Sequence, residues 1–309
     1  MARATSTLLG SGQIVITERD MAEELTRWGT EHENVRVVNL YSSRANPSAK
    51  IDFLSDYDVE IYVNDLEPFK RGEDWLDYFG EVMVREPWNS SVWDDGHVGP
   101  MVMFSDGRRI DFNIKLVSEL RDDLNSGDAG SWNTVLVDKE GIAQDIQSLE
   151  SHDESHFWTK RPTGAEYGEL THHFWWSITL VAKYLYRDEY MFARRMLDVA
   201  LHHSYLLIIL SWHLGVETGW KSNPGPHGRW LKKLLDPSIW RKVEETFVGG
   251  SVEENWRAMF LTGELFGEVA LGVGDALGYE YPTRVQEQVT AYLRDVQVLA
   301  GRAQHLGQG

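Results

Sequence analysis

Tyr41-Ser42-Ser43-Arg44, followed at short range by Asp56-Tyr57-Asp58-Val59-Glu60, decides how this chain is read. Val35 to Tyr41 is β-branched and apolar, as a buried strand should be, and it runs into the Ser-Ser-Arg turn. Tyr57 to Val63 alternates in polarity and reads as a second strand. Residues i and i+2 of a strand share a face, so Asp56 and Asp58 stand side by side. Two carboxylates that close repel unless something positive lies between them. A hard divalent cation such as Mg²⁺ accepts carboxylate oxygens and keeps positions open for phosphate oxygens. A third acid, Asp111, sits between apolar neighbours in Arg109-Ile110-Asp111-Phe112, where burial without a partner would be costly. Pairing that strand beside the first brings Asp111 to the same metals.

Working outward, Glu18 to Gly29 reads as an amphipathic helix carrying Met21, Leu25 and Trp28, with Gly29 as its stop. Glu73 to Phe79 reads as another helix. Met101 to Phe104 and Arg109 to Val117 read as strands joined by the turn Ser105-Asp106-Gly107. From Glu166 the pattern turns helical: Phe174 to Tyr186, Tyr190 to Leu214, Trp230 to Leu235, Val252 to Phe266 and Arg284 to Leu299. The expectation is an α+β protein, with strands and helices mixed over 1–150 and a helical domain over 151–309. The boundary is expected between about 145 and 160, near the polar segment Gln147 to Ser155, and the first dozen residues as a loose tail.

Composition narrows the function classes. Over 309 residues the net charge is −18, and residues 1–150 alone carry 29 acids against 14 bases. A duplex-binding protein needs a basic surface to displace counterions, so nucleic acid is not an expected partner. An acidic field favours divalent metals and cationic small molecules, and also plain solubility. With no Cys, disulfides, thiolate metal sites and Cys nucleophiles are excluded. No run of eighteen apolar residues and no signal-like start are evident, so neither a spanning helix nor secretion is expected. A cytoplasmic enzyme, monomeric or homodimeric, is the expectation. Neighbouring histidines on a helix point about 100° apart, so neither His172-His173 nor His202-His203 is read as a chelating pair.

A turn after a strand, then D-x-D, then a lone Asp on a later strand is the pattern of DNA polymerase beta-like nucleotidyltransferases. The resemblance narrows further. Leu40 to Pro47, Asp56-Tyr57-Asp58, Trp75 to Gly80 and Phe104 to Asp111 resemble the aminoglycoside 6-adenylyltransferases that inactivate streptomycin. Trp158 to Thr163, Phe174-Trp175-Trp176, Val181-Ala182-Lys183 with Arg187, Ser211-Trp212 and Glu217-Thr218-Gly219 continue that likeness in order. It spans roughly residues 18 to 270.

The resemblance implies a nucleotidyltransferase domain with a mixed sheet, joined to a helical bundle. It implies AMP transfer from ATP to a hydroxyl of a cationic drug, with pyrophosphate released and two Mg²⁺ ions held by Asp56, Asp58 and Asp111. Asp111 is the first candidate to take the hydroxyl proton and Glu169 the second. Ser42, Ser43, Arg44, Lys183 and Arg187 are expected at the nucleotide, and Glu169, His173 and Trp176 at the acceptor. Four positions depart from the family. Ser42 replaces a Gly, His172-His173 replaces Asn-Glu, and Pro226 stands where the family has Lys. These leave open a different hydroxylated acceptor, or a nucleotide-binding protein without transfer activity.

Overall fold

The computed structural model describes residues 21–47, 49–72, 74–86, 98–120, 122, 132–144 and 154–306. The expected helix start at Glu18, the N-terminal tail and most of the polar segment from Gln147 lie outside the described residues. The chain forms two compact units, Met1–Asp153 and Glu154–Gly309.

In the first unit, α1 (Met21–Glu31) precedes β1 (Val35–Tyr41), and β2 (Tyr57–Val63) precedes a short α2 (Glu67–Arg71). Then follow β3 (Val82–Arg85), β4 (Met101–Phe104), β5 (Arg109–Leu116) and β6 (Asn133–Asp138). The sheet runs in the order β3-β4-β5-β2-β1-β6. Only β2 and β5 pair in parallel; the other neighbours are antiparallel. The strand period divides the residues cleanly. Leu40, Val59, Ile61, Ile110, Phe112 and Ile114 face a core shared with Leu25 and Trp28 of α1. The opposite face takes Tyr41, Asp58, Glu60, Asp111 and Asn113.

The segment expected as a helix from Glu73 to Phe79 is instead a 3₁₀ turn, Asp74–Tyr78. Trp75 and Phe79 there lie among Trp28 and Phe112, and four aromatic rings packed on the sheet fix the segment without a longer helix. Arg108, buried just before β5, donates to Asp106 Oδ2 at 2.7 Å and to Glu24 Oε2 at 3.0 Å, tying the β4–β5 turn to α1.

The second unit is helical: α3 (Gly164–Tyr186), α4 (Tyr190–Arg195), a π-helix (Met196–Leu206), α5 (Leu207–Thr218), α6 (Leu231–Leu234), α7 (Pro237–Thr246), α8 (Val252–Leu277) and α9 (Thr283–Leu306). α3 begins ten residues before the expected Phe174. Its start is set by a capping box in which Thr163 accepts from the Glu166 amide and Glu166 accepts from the Thr163 amide. Contrary to the sequence expectation, the continuous run Tyr190–Thr218 is long and apolar enough to cross a membrane by length and composition. Leu197, Leu201, Leu206, Ile209, Leu210 and Leu214 of that run are buried in the core of the helical unit, and core helices meet the same criterion.

His202 of the π-helix is buried, 4.8 Å from the Phe247 ring, and Thr262 Oγ1 lies 3.3 Å from its Nε2. Burial, with Arg194 and His203 nearby, lowers its pKa to about 4. Asp198 lies 3.8 Å away but is already paired with Arg194 at 2.8 Å. A histidine held neutral when folded takes up protons on unfolding. Its contribution to stability is therefore fully present above about pH 6.5 and is lost as the pH falls toward 4, by about 3 kcal/mol in all. Urea unfolding between pH 7 and 4 is expected to show this loss in the wild type and to show it reduced in His202→Gln.

Candidate active site

Three strands carry one row of side chains across the polar face. Tyr41 of β1 pairs with Asp58 of β2, and Asp58 pairs with Asp111 of β5. In a parallel pair in register the two side chains point the same way, so Asp58 and Asp111 stand opposite each other. Asp56 lies just before β2 on the same face. The next row inward is Asn39, Glu60 and Asn113. Glu60 is buried there and accepts from Lys115 Nζ at 2.8 Å, so its charge is balanced inside the sheet.

Asp58 is a half-buried carboxyl in a field of like charges. Burial raises its pKa, and the fields of Asp111 and Asp56 raise it further, while a hydrogen bond from the Ser42 hydroxyl opposes them. Tyr41, half-buried beside them, has its hydroxyl pushed well above the usual range, first by burial and then by Asp58, Glu60 and Asp111. It is a neutral hydroxyl at working pH.

Arg109 faces the same cluster. Its Nε and Nη2 donate to Asp111 Oδ1 and Oδ2 at 3.0 and 2.9 Å, and its Nη1 lies 3.6 Å from Asp56 Oδ2. Among the described residues no three His, Asp or Glu side chains converge closely enough to hold an ion as they stand. The donor set nevertheless suits Mg²⁺: three hard carboxylates share one face, and the field raising the Asp58 pKa is one that a cation relieves. The guanidinium of Arg109 now holds two of the three.

The turn residues do different work from one another. Ser42 has φ +66°, a left-handed conformation that side chains with a Cβ rarely adopt. Its amide donates to the Trp132 carbonyl at 3.1 Å. Ser43 continues the single 3₁₀ turn Ser42–Arg44. Arg44 stacks on Tyr57, 3.6 Å from the ring centre, and donates to the carbonyls of Ser55 and Asp56. In this structure its fork holds the loop leading into β2.

On the helical unit, Glu169, His173 and Trp176 are spaced along one exposed side of α3. His173 and Trp176 line a groove of about 620 Å³ with Thr179 and with Val285, Val289 and Tyr292 of α9. Trp176 is 70% exposed there. Glu169 does not line the groove, and among the described residues its walls carry no carboxylate. Lys183 lies in the last turn of α3 with its ammonium 5.3 Å from the Tyr184 ring, and Arg187 caps that helix. Cations at a helix C-terminus are also favoured by its dipole. Arg109 and Tyr41 were not among the residues expected at the site, and Ser42 was expected at the nucleotide, whereas its hydroxyl here bonds Asp58. The alternation Arg109-x-Asp111-x-Asn113-x-Lys115 was the available signal for the first.

Residues 15–296 match the family model described as streptomycin adenylyltransferase. The chain is 27% identical over 284 residues to an aminoglycoside 6-adenylyltransferase of Bacillus subtilis (strain 168), covering 91% of this chain and 98% of that protein. An aminoglycoside 6-adenylyltransferase of Staphylococcus aureus is 26% identical, with 90% and 98% covered. The crystal structure of an aminoglycoside 6-adenyltransferase from Bacillus subtilis aligns with a TM-score of 0.44 at 25% identity, over 90% of this chain and 97% of that one.

The left-handed Ser42 predicts an ordering of stabilities. Ser42→Ala keeps the Cβ in a costly conformation and loses the hydrogen bond to Asp58; Ser42→Gly loses the same bond and relieves the backbone. The Gly variant is expected to be about 1 kcal/mol more stable than the Ala variant in urea unfolding. Equal stabilities would show that the turn carries no strain.

Proposed function

Since the chain belongs to the streptomycin adenylyltransferase family and is an adenylyltransferase enzyme, we propose that it carries AMP from ATP to a hydroxyl of a streptomycin-type aminoglycoside. The acceptor oxygen forms a bond to the α-phosphorus, the bond to the β-phosphate oxygen breaks, and pyrophosphate leaves. The observation that supports this reading most is the row Tyr41, Asp58 and Asp111, with Asp56 at its edge. Asp56, Asp58 and Asp111 would hold Mg²⁺, two ions in this reading. Bound there, the metal supplies charge neutralisation at the triphosphate and a more acidic acceptor hydroxyl.

The chain's own residues do the rest. Ser42 orients Asp58 through its hydroxyl, and Arg44 fixes the loop that carries Asp56. Ser43 is assigned to the triphosphate, as are Lys183 and Arg187. A carboxylate oxygen of Asp111 takes the hydroxyl proton as the new bond forms; Glu169 is the other candidate base. His173 and Trp176 are assigned to the acceptor, for which their groove offers an apolar wall of suitable size. We place the enzyme in the cytoplasm, where ATP is supplied, as a monomer or homodimer.

A second reading keeps the chemistry and changes the acceptor. It is favoured by His172-His173, which stand where the family has Asn-Glu and line, with aromatic and aliphatic side chains, the groove of the helical unit.

The metal carboxylates are tested by Asp58→Asn, with pyrophosphate release measured with ATP, Mg²⁺ and streptomycin. The variant is expected to fold and to lose at least about a thousandfold in rate, or about 4 kcal/mol of barrier. Transfer near the wild-type rate would sink the carboxylate assignment. The acceptor is tested by calorimetry at low and high NaCl. If acids hold a polycation, streptomycin affinity falls as salt shortens the screening length to about 8 Å and below. Saturable binding that ignores salt would remove the electrostatic part, and failure to bind would favour the second reading.

A further inference from the structure

Three carboxylates at one end of a sheet face need a counter-charge with or without a metal. In this structure Arg109 provides it. Its fork spans both oxygens of Asp111 at 3.0 and 2.9 Å, and its third nitrogen lies 3.6 Å from Asp56. Asp58 feels the same guanidinium. The Arg109 side chain is 45% exposed and approaches from the solvent edge, where its further contact is Met101 Sδ at 3.7 Å. Its neighbour Arg108 is the opposite case, buried and held by Asp106 and Glu24. Arg109 can therefore swing away without repacking the sheet, and Arg108 cannot.

We propose that Arg109 is the resident cation of the carboxylate cluster, competing with a divalent ion for Asp111 and Asp56, so that metal loading turns its guanidinium away. The inference rests on the reading of these three acids as metal ligands. A bidentate fork occupies both Asp111 oxygens in their own plane. Mg²⁺ requires well-placed oxygens in near-octahedral geometry. A guanidinium and a divalent ion a few ångströms apart also repel strongly. Asp111 then becomes available to metal and to the acceptor proton only through the exchange, and Arg109 sets how tightly the site takes its ion.

The test measures Mn²⁺ binding, by electron paramagnetic resonance of free Mn²⁺, and thermal unfolding, for wild type, Arg109→Gln and Arg109→Lys. Without metal, Arg109→Gln is expected to unfold at a lower temperature, because its acids have lost their counter-charge. It is expected to bind Mn²⁺ about fivefold more tightly or better, with a larger metal-induced rise in Tm. Arg109→Lys, which keeps the charge and loses the fork, is expected to fall between. Wild-type binding of Mn²⁺ with equal or weaker binding by Arg109→Gln would overturn the inference, showing that Arg109 orients Asp111 and stays. No Mn²⁺ uptake by wild type or either variant would instead overturn the metal reading itself, and the inference with it.

Discussion

Repulsion between like charges on a half-buried sheet face is the condition that the rest of this structure answers. Asp58 and Asp111 stand opposite each other because β2 and β5 pair in parallel and in register, a pairing between strands some fifty residues apart. Each balancing group is local to the problem. Lys115 neutralises Glu60 one row inward, Ser42 donates to Asp58, and Arg109 spans Asp111 and Asp56. In the proposed function, the same balance leaves the face open to a stronger cation. The apolar reverse face, packed on α1 and the aromatic turn Asp74–Tyr78, holds the strands in that register.

The Ser42 turn shows how the backbone is drawn into the same balance. The family resemblance places a Gly at this position, and the observed φ of +66° supplies the physical reason. A serine here keeps the turn and gains a hydroxyl aimed at Asp58, at a cost in conformational energy.

Much of the first unit was legible because its signals are local. β1, β2 and β4 follow runs whose alternation or apolar character shows in the sequence, and β5 ends one residue before the expected Val117. Strands β3 and β6 escaped. Val82–Arg85 is largely exposed at the sheet edge, so no buried face imprints a pattern on it. Asn133–Asp138 lies at the other edge with a bulge against β1 that breaks its period. The early start of α3 was readable from Thr163-x-x-Glu166, and α7 from Asp236 followed by Pro237. The candidate acids were visible as residues. Arg109 was half legible: its place two residues before Asp111 on one strand face is a local signal, while its reach to Asp56 depends on the pairing of β5 with β2.

The π-helix Met196–Leu206 has a consequence for the packing of the helical unit. A π turn accommodates more residues than an α turn, so it rotates everything after it relative to everything before. The stripe of Tyr190–Arg195 and the stripe of Leu207–Thr218 thus point in different directions along one unbroken rod. The earlier part packs on α3 and the later part on α8, so one rod serves two neighbours that a straight α-helix would present with a single seam. A π-helix differs from an α-helix by the number of residues that it fits into each turn. One residue in that count turns the downstream side chains by about 100°. The register of this one segment therefore sets which side chains Leu207–Thr218 turns toward α8.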